Sequence, residues 1–227
     1  QKLPPFLLSL TLDNLKKQSV AILDPAIFSW AAKEFPEIQN EEKLVGLLKE
    51  IGFEKVFSLR EGIGEWILET EKEIKKTKEK PLFLNQCRSF GLYLEKYQPE
   101  FLKNLSKVSL PDEIMAKKIK TQYAEKEKIN PKNILVFSIS HCVAKKTISN
   151  KFLDGTLTER ELGRIARIRK TDVSLIKELK LDGEMKKKIS SPLSLLVKDK
   201  NIEAVSVSGI GEIKKLLDRI GKNKVKC

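Results

Sequence analysis

An α/β fold with a largely parallel sheet is the class this sequence predicts, and three observations predict it. Short apolar runs of four to six residues recur along the chain, bounded by turn residues as buried strands are. Between them lie longer segments whose apolar residues fall at helical spacing. Strand and helix alternate rather than segregate, the order that lays strands parallel and places helices across the sheet faces. The length, 227 residues, fits one large domain or two small lobes.

The first strand is Ser19–Leu23, ended by Asp24-Pro25. Ala26–Phe35 follows as a helix with Ile27, Trp30 and Ala31 on one side. Glu41–Ile51 is strongly amphipathic, since Leu44, Val45, Leu47, Leu48 and Ile51 share a face, and Gly52 ends it. Lys55–Leu59 is the second strand, and Trp66–Lys76 a helix turning Trp66, Ile67 and Ile74 inward. Pro81–Asn85 is read as a third strand leading into Cys87. Phe90–Tyr97 and Phe101–Leu105 are helical pieces separated by Pro99, and Asp112 caps a helix running to about Lys128. Ile134–Ile139 is the fourth strand and delivers His141-Cys142. Thr158 and Glu161 stand at capping-box spacing before the helix Glu159–Arg167, and Thr171-Asp172 opens another over Val173–Leu179. After a basic connector, Lys186–Lys200, come a last strand, Ala204–Val207, and a helix over Glu212–Ile220.

Composition narrows the function classes. Lys and Arg number 44 against 31 Asp and Glu, a net charge of +13 that favours encounter with polyanions or acidic proteins. The cations are interspersed with acids and aromatics are only 7%, which speaks against a nucleic-acid surface and for a solvated, Lys-rich one. No apolar run approaches the ~20 residues of a membrane span, and Gln1–Leu10 lacks the pattern of a secretory signal. A cytoplasmic protein is expected. The three cysteines, Cys87, Cys142 and Cys227, are odd in number and contain no CxxC pair, so a disulfide framework, a zinc ribbon and an ordinary ferredoxin module are set aside.

Ligands of parallel sheets gather beyond the carboxyl ends of the strands. Cys87 and Cys142 each follow a predicted strand, so they are read either as one shared edge or as two unrelated buried thiols. Ser208–Gly211 before the last helix is a weak phosphate signal, better read as a plain turn.

Longer motifs extend this reading. Pro81–Phe90, followed by Tyr93–Glu100, resembles the first cluster motif of the iron-only (FeFe) hydrogenases, PMFTSCCPxW with its YxEKxxPE-like helix. Ile119–Lys126 resembles the family's IKTYYAEK helix, and Ser138–Lys146 its second motif, SIMPCTAKK. Val20–Pro25, Gly52–Phe57, Leu157–Leu162 and Val207–Leu217 resemble further family segments in the same order. The resemblance implies two α/β lobes with largely parallel sheets: an N-terminal segment over 1–18, a first lobe over 19–150 and a shortened second lobe over 151–227. It also implies a 4Fe–4S cluster, with Cys87 and Cys142 matching two of its ligands and Lys145 matching the lysine that supports a two-iron subcluster.

The departures concern chemistry. Gln86 stands where the family has its proton-relaying cysteine, and an amide does not exchange a proton as a thiol does. Arg88 replaces a proline, Ser140-His141 replaces Met-Pro, and Ile148 replaces a glutamate. The paired glutamates of the proton channel are represented by Glu69 followed by Thr70. The GATGG segment and the third motif, MACPGGCxNGGG, are missing, and the flanks of Cys227 do not match the latter.

The expected protein is therefore a hydrogenase-like iron–sulfur protein in which Cys87, Cys142 and Cys227, with His141, are the candidate metal and cluster ligands and Lys145 the candidate catalytic residue. Electron transfer or regulation is expected rather than efficient hydrogen turnover, with a 4Fe–4S cluster but no two-iron subcluster. The expected partner is an acidic redox protein such as a ferredoxin, or other subunits of a redox complex. A cluster-free structural or interaction subunit of a redox complex, and an active hydrogenase whose third motif comes from missing residues or another chain, are the two alternatives.

Overall fold

Strand β1 (Gln18–Leu23) lies at the centre of a four-stranded, all-parallel sheet in the order β2-β1-β3-β4. The other strands are β2 (Lys55–Ser58), β3 (Ile134–Ser140) and β4 (Gly155–Thr158). The computed structural model describes residues 17–77, 80–84, 87–148, 151–183, 206–207 and 209–221. Cys227, Gln86, the basic connector and Ala204-Val205 of the expected last strand lie outside these; Ser206 and Val207 are not in a strand.

Strand alternation sorts side chains into two cores. Ala21, Leu23, Val56, Phe137 and Ile139 face one core, completed by α1 (Ile27–Glu34), α2 (Glu41–Glu50) and α7 (Glu159–Ile168). Val20, Ile22, Phe57, Ile134 and Val136 face the other, closed by α5 (Pro111–Lys118) and the turns after it. The predicted apolar stripe of α2 is fully buried, and Gly52 ends the helix with a φ of 113°, which a side chain would resist.

Several elements differ from expectation. Helix α3 (Leu59–Lys76) starts directly after β2, with Ser58 accepting from the Arg60 amide, rather than at Trp66. The expected third strand contributes one parallel bridge, Phe83 to Leu105, and does not join the sheet. It pairs instead with the end of a 3-10 turn (Pro99–Asn104), the form taken by the expected helix over Phe101–Leu105. Beyond α4 (Arg88–Tyr97) and that turn, the predicted helix to Lys128 is α5, a π-helical turn (Ile119–Tyr123) and α6 (Ala124–Lys126). Leu110, not Asp112, is its N-cap. Val173–Leu175 makes a 3-10 turn in place of a longer helix, and α8 is Ile210–Gly221. β4 was not foreseen as a strand, because Gly155-Thr156 lack apolar side chains. It joins β3 from beyond residue 150, so the sheet runs across the position expected to separate two lobes.

After the 3-10 turn, residues 176–183 run back across the other end of the fold. The Leu179 amide donates to Glu42, and the Asp182 amide donates to Val56 at the open edge of β2. Asp182 also accepts from the Val56 amide at 3.0 Å and pairs with Lys49 and Lys55 at 2.7 and 3.1 Å. This segment thereby covers the free edge of β2.

Candidate functional site

Parallel strands deliver their following residues to one rim, here Asp24 after β1, His141 and Cys142 after β3, and Glu159 after β4. Cys142 is the N-cap of a 3-10 turn (Val143–Thr147), and its amide donates to Ser140 Oγ at 3.3 Å. Cys87 is the N-cap of α4. α4 and the Val143–Thr147 turn pack against each other, so the two thiols lead helical segments that are in contact. Cys142 follows the buried strand β3 as expected, whereas the segment before Cys87 is not a sheet strand; with Cys142 half-buried and Cys87 exposed, the alternative of two buried thiols is corrected. Helix N-termini carry amides without intrahelical acceptors and favour the negative charge of a metal-bound thiolate.

The candidate histidine turns elsewhere. His141 Nδ1 contacts the Glu159 carboxylate, and Nε2 lies 2.8 Å from the Ala26 carbonyl. Both ring nitrogens are thereby committed, and none remains for a metal. Among the described residues, no three His, Cys, Asp or Glu side chains come together as a metal site.

Lys145 is not a surface lysine, its side chain being 12% exposed. Its ammonium stands 2.9 Å from Asp112 Oδ2 and 3.1 Å from Oδ1, with Asp24 Oδ2 at 3.7 Å. Ser138 Oγ donates to Asp112 Oδ1 at 2.5 Å from within β3. Asp112 is 1% exposed, and a buried carboxylate persists only when paired and hydrogen-bonded. The sequence reading missed this role for Asp112, because Pro-Asp-Glu at a helix start reads as a cap. The signal was present in Ser138, a hydroxyl set between Phe137 and Ile139 in a buried strand.

Other departures are absorbed locally. Arg88 pairs with Glu95 along α4 at 3.1 Å, and Ile148 packs on the second core. Glu69 is exposed, and Thr70 is buried without a hydrogen-bond partner among the described residues. Glu73 holds the Ser106 hydroxyl and, at 2.8 Å, the Lys107 amide. Thr158 and Glu161 do form the foreseen capping contact, with Glu161 Oε2 accepting from the Thr158 amide at 2.9 Å.

Residues 17–195 match the family model described as iron only hydrogenase large subunit, C-terminal domain. The chain belongs to that family. This hydrogenase-family chain is 26% identical to Iron hydrogenase 1 of Clostridium pasteurianum over 156 residues, 63% of this chain and 27% of that protein. It is 25% identical to cytosolic Fe-S cluster assembly factor NAR1 of Yarrowia lipolytica over 126 residues, 56% of this chain and 25% of that protein. The solved structure of apo FeFe-hydrogenase HydA1 from Chlamydomonas reinhardtii shares its fold, with a TM-score of 0.64 at 22% identity, covering 80% of this chain and 50% of that one. The alignments with these two curated relatives span only about a quarter of their length.

The family implies iron–sulfur cofactors, and the residues fit them unequally. Two thiols, each leading one of two helical segments that touch, are the ligand type a cubane takes. The cation that a two-iron unit with anionic ligands would draw on, Lys145, is paired with Asp112 in this chain.

Proposed function

We propose that this member of the iron-only hydrogenase family is an iron–sulfur protein without hydrogen turnover. In this reading Cys87 and Cys142 supply two ligands of a 4Fe–4S cluster used for electron transfer or regulation, and an acidic partner in the cytoplasm exchanges electrons with it. The observation that carries it is the Lys145–Asp112 pair, an internal carboxylate at 2.9 Å where an anionic cofactor would need a free cation. Gln86 supports it, because the position lacks a thiol to relay protons. The likeness to relatives named cytosolic Fe-S cluster assembly factors supports it too, since those names describe an iron–sulfur role other than hydrogen chemistry.

Anaerobic reconstitution with iron and sulfide tests the proposal. The expected result is a broad visible absorption band, about four irons per chain, and protection of Cys87 and Cys142 from alkylation mapped by mass spectrometry. Hydrogen evolution with a strong reductant should stay at background. A colourless, folded, iron-free chain would overturn the cluster, and turnover above background would overturn the loss of catalysis.

A further inference from the structure

Helix α7 carries a surface that the rim chemistry does not use. Arg160, Arg164 and Arg167 recur at helical spacing and line a cleft of about 470 Å³ together with Trp30, Glu34 and Glu161. The acids in and beside this cleft are already matched. Glu34 pairs with Arg167, Glu161 with Lys146 and Thr158, and Glu159 with His141. Three guanidiniums face two carboxylates across the cleft, and those carboxylates pair with Lys146 and Arg167, which leaves Arg160 and Arg164 without an ion-pair partner among the described residues.

The wall beside those guanidiniums is fixed. Trp30 packs edge-on against Phe35, with ring centroids 6.1 Å apart, and its Cζ2 lies 3.2 Å from where a Cβ on Gly163 would stand. Glycine at that position lets the indole lie against the α7 backbone. Ile168, one turn past Arg164 on the same helix, is 57% exposed. An indole wall beside arginines is the combination enriched at protein interfaces, and with aromatics at 7% the chain has few residues to interleave with arginine as a base-stacking surface does.

We infer that the α1–α7 cleft is a docking site for an acidic segment of a partner protein. Carboxylates of that segment pair with Arg160 and Arg164, and an apolar side chain between them rests on Trp30. The +13 net charge of the chain steers such a partner toward it at low salt. The inference rests on the partner-docking part of the proposed function and not on the cluster.

The test uses the full chain, both as isolated and after reconstitution. Its probe is a fluorescein-labelled peptide of repeating Glu-Glu-Leu triplets, followed by anisotropy. The peptide should bind, its Gln-Gln-Leu counterpart should not, and bound peptide should shield Trp30 from acrylamide. Trp30 is the informative one of the two tryptophans, because Trp66 is buried. Arg160→Glu with Arg164→Glu should weaken binding about tenfold or more. Lys126→Glu with Lys132→Glu, exposed positions preceding β3, should change it less than about twofold. Circular dichroism of both variants establishes that the fold is kept. Absent binding, equal loss in both variants, or tighter binding of oligouridylate through the same arginines would overturn the inference. Peptide binding by a chain that takes up no iron or sulfide on reconstitution would leave it standing and overturn only the iron–sulfur reading.

Discussion

The Lys145–Asp112 pair sets a carboxylate only 1% exposed against an ammonium 2.9 Å away. Removing one partner of a buried ion pair leaves the other charge without compensation, at about 3–5 kcal/mol. Lys145→Met should therefore destabilise the protein by about that amount in urea unfolding. Adding Asp112→Asn should restore most of the loss, because the orphaned carboxylate is then gone. A lysine kept only for a cofactor would show no such rescue in the apo chain. Asp182 acts at the opposite end of the sheet and titrates. Burial alone would raise its carboxyl, but hydrogen bonds from Lys49, the Val56 amide and Lys55 outweigh this and hold it below the ordinary range. A lowered folded value means the stabilisation is present above the unfolded pKa of about 3.9 and lost as pH falls through the folded one. Asp182→Asn should cost about 1–2 kcal/mol at neutral pH and flatten the acid limb of stability against pH.

Between elements, two glycines set distances that side chains would forbid. A Cβ on Gly62 of α3 would stand 2.4 Å from the Pro111 carbonyl, so Gly62 lets α3 lie against the start of α5, the turn that carries Asp112. A Cβ on Gly46 of α2 would stand 2.1 Å from the Lys177 carbonyl, where residues 176–183 cross the helix. Both contacts are with backbone, which cannot swing aside as a side chain would. Gly46→Ala should destabilise by about 1–3 kcal/mol, as overpacking does, and speed proteolysis within residues 177–183. Gly62→Ala should cost a similar amount without exposing that segment, which limited proteolysis distinguishes. The Pro81–Leu84 segment teaches a different lesson at this scale. Its apolar pattern reads as a sheet strand, yet its one bridge is from Phe83 to Leu105, outside the sheet.

Across the whole molecule, one parallel sheet gathers the ends of four strands at a rim and leaves the α7 arginines on an outer face. The sequence by itself determined the α/β class, most helices and three of the four strands, because burial on two faces demands apolar runs at fixed periods. It also determined the family, since motif order survives where individual residues drift. It pointed to Cys87 and Cys142, and the packing of α4 on the Val143–Thr147 turn brings their helical segments together. The tertiary structure alone decided that Lys145 is neutralised by Asp112, 33 residues away in sequence. It alone turned His141 toward Ala26 and Glu159, and brought Asp182 to the edge of β2. The physical reason is one of range. Secondary structure and the apolar pattern follow from neighbours along the chain, whereas a charge is satisfied by whichever counter-charge the folded backbone carries to within about 3 Å.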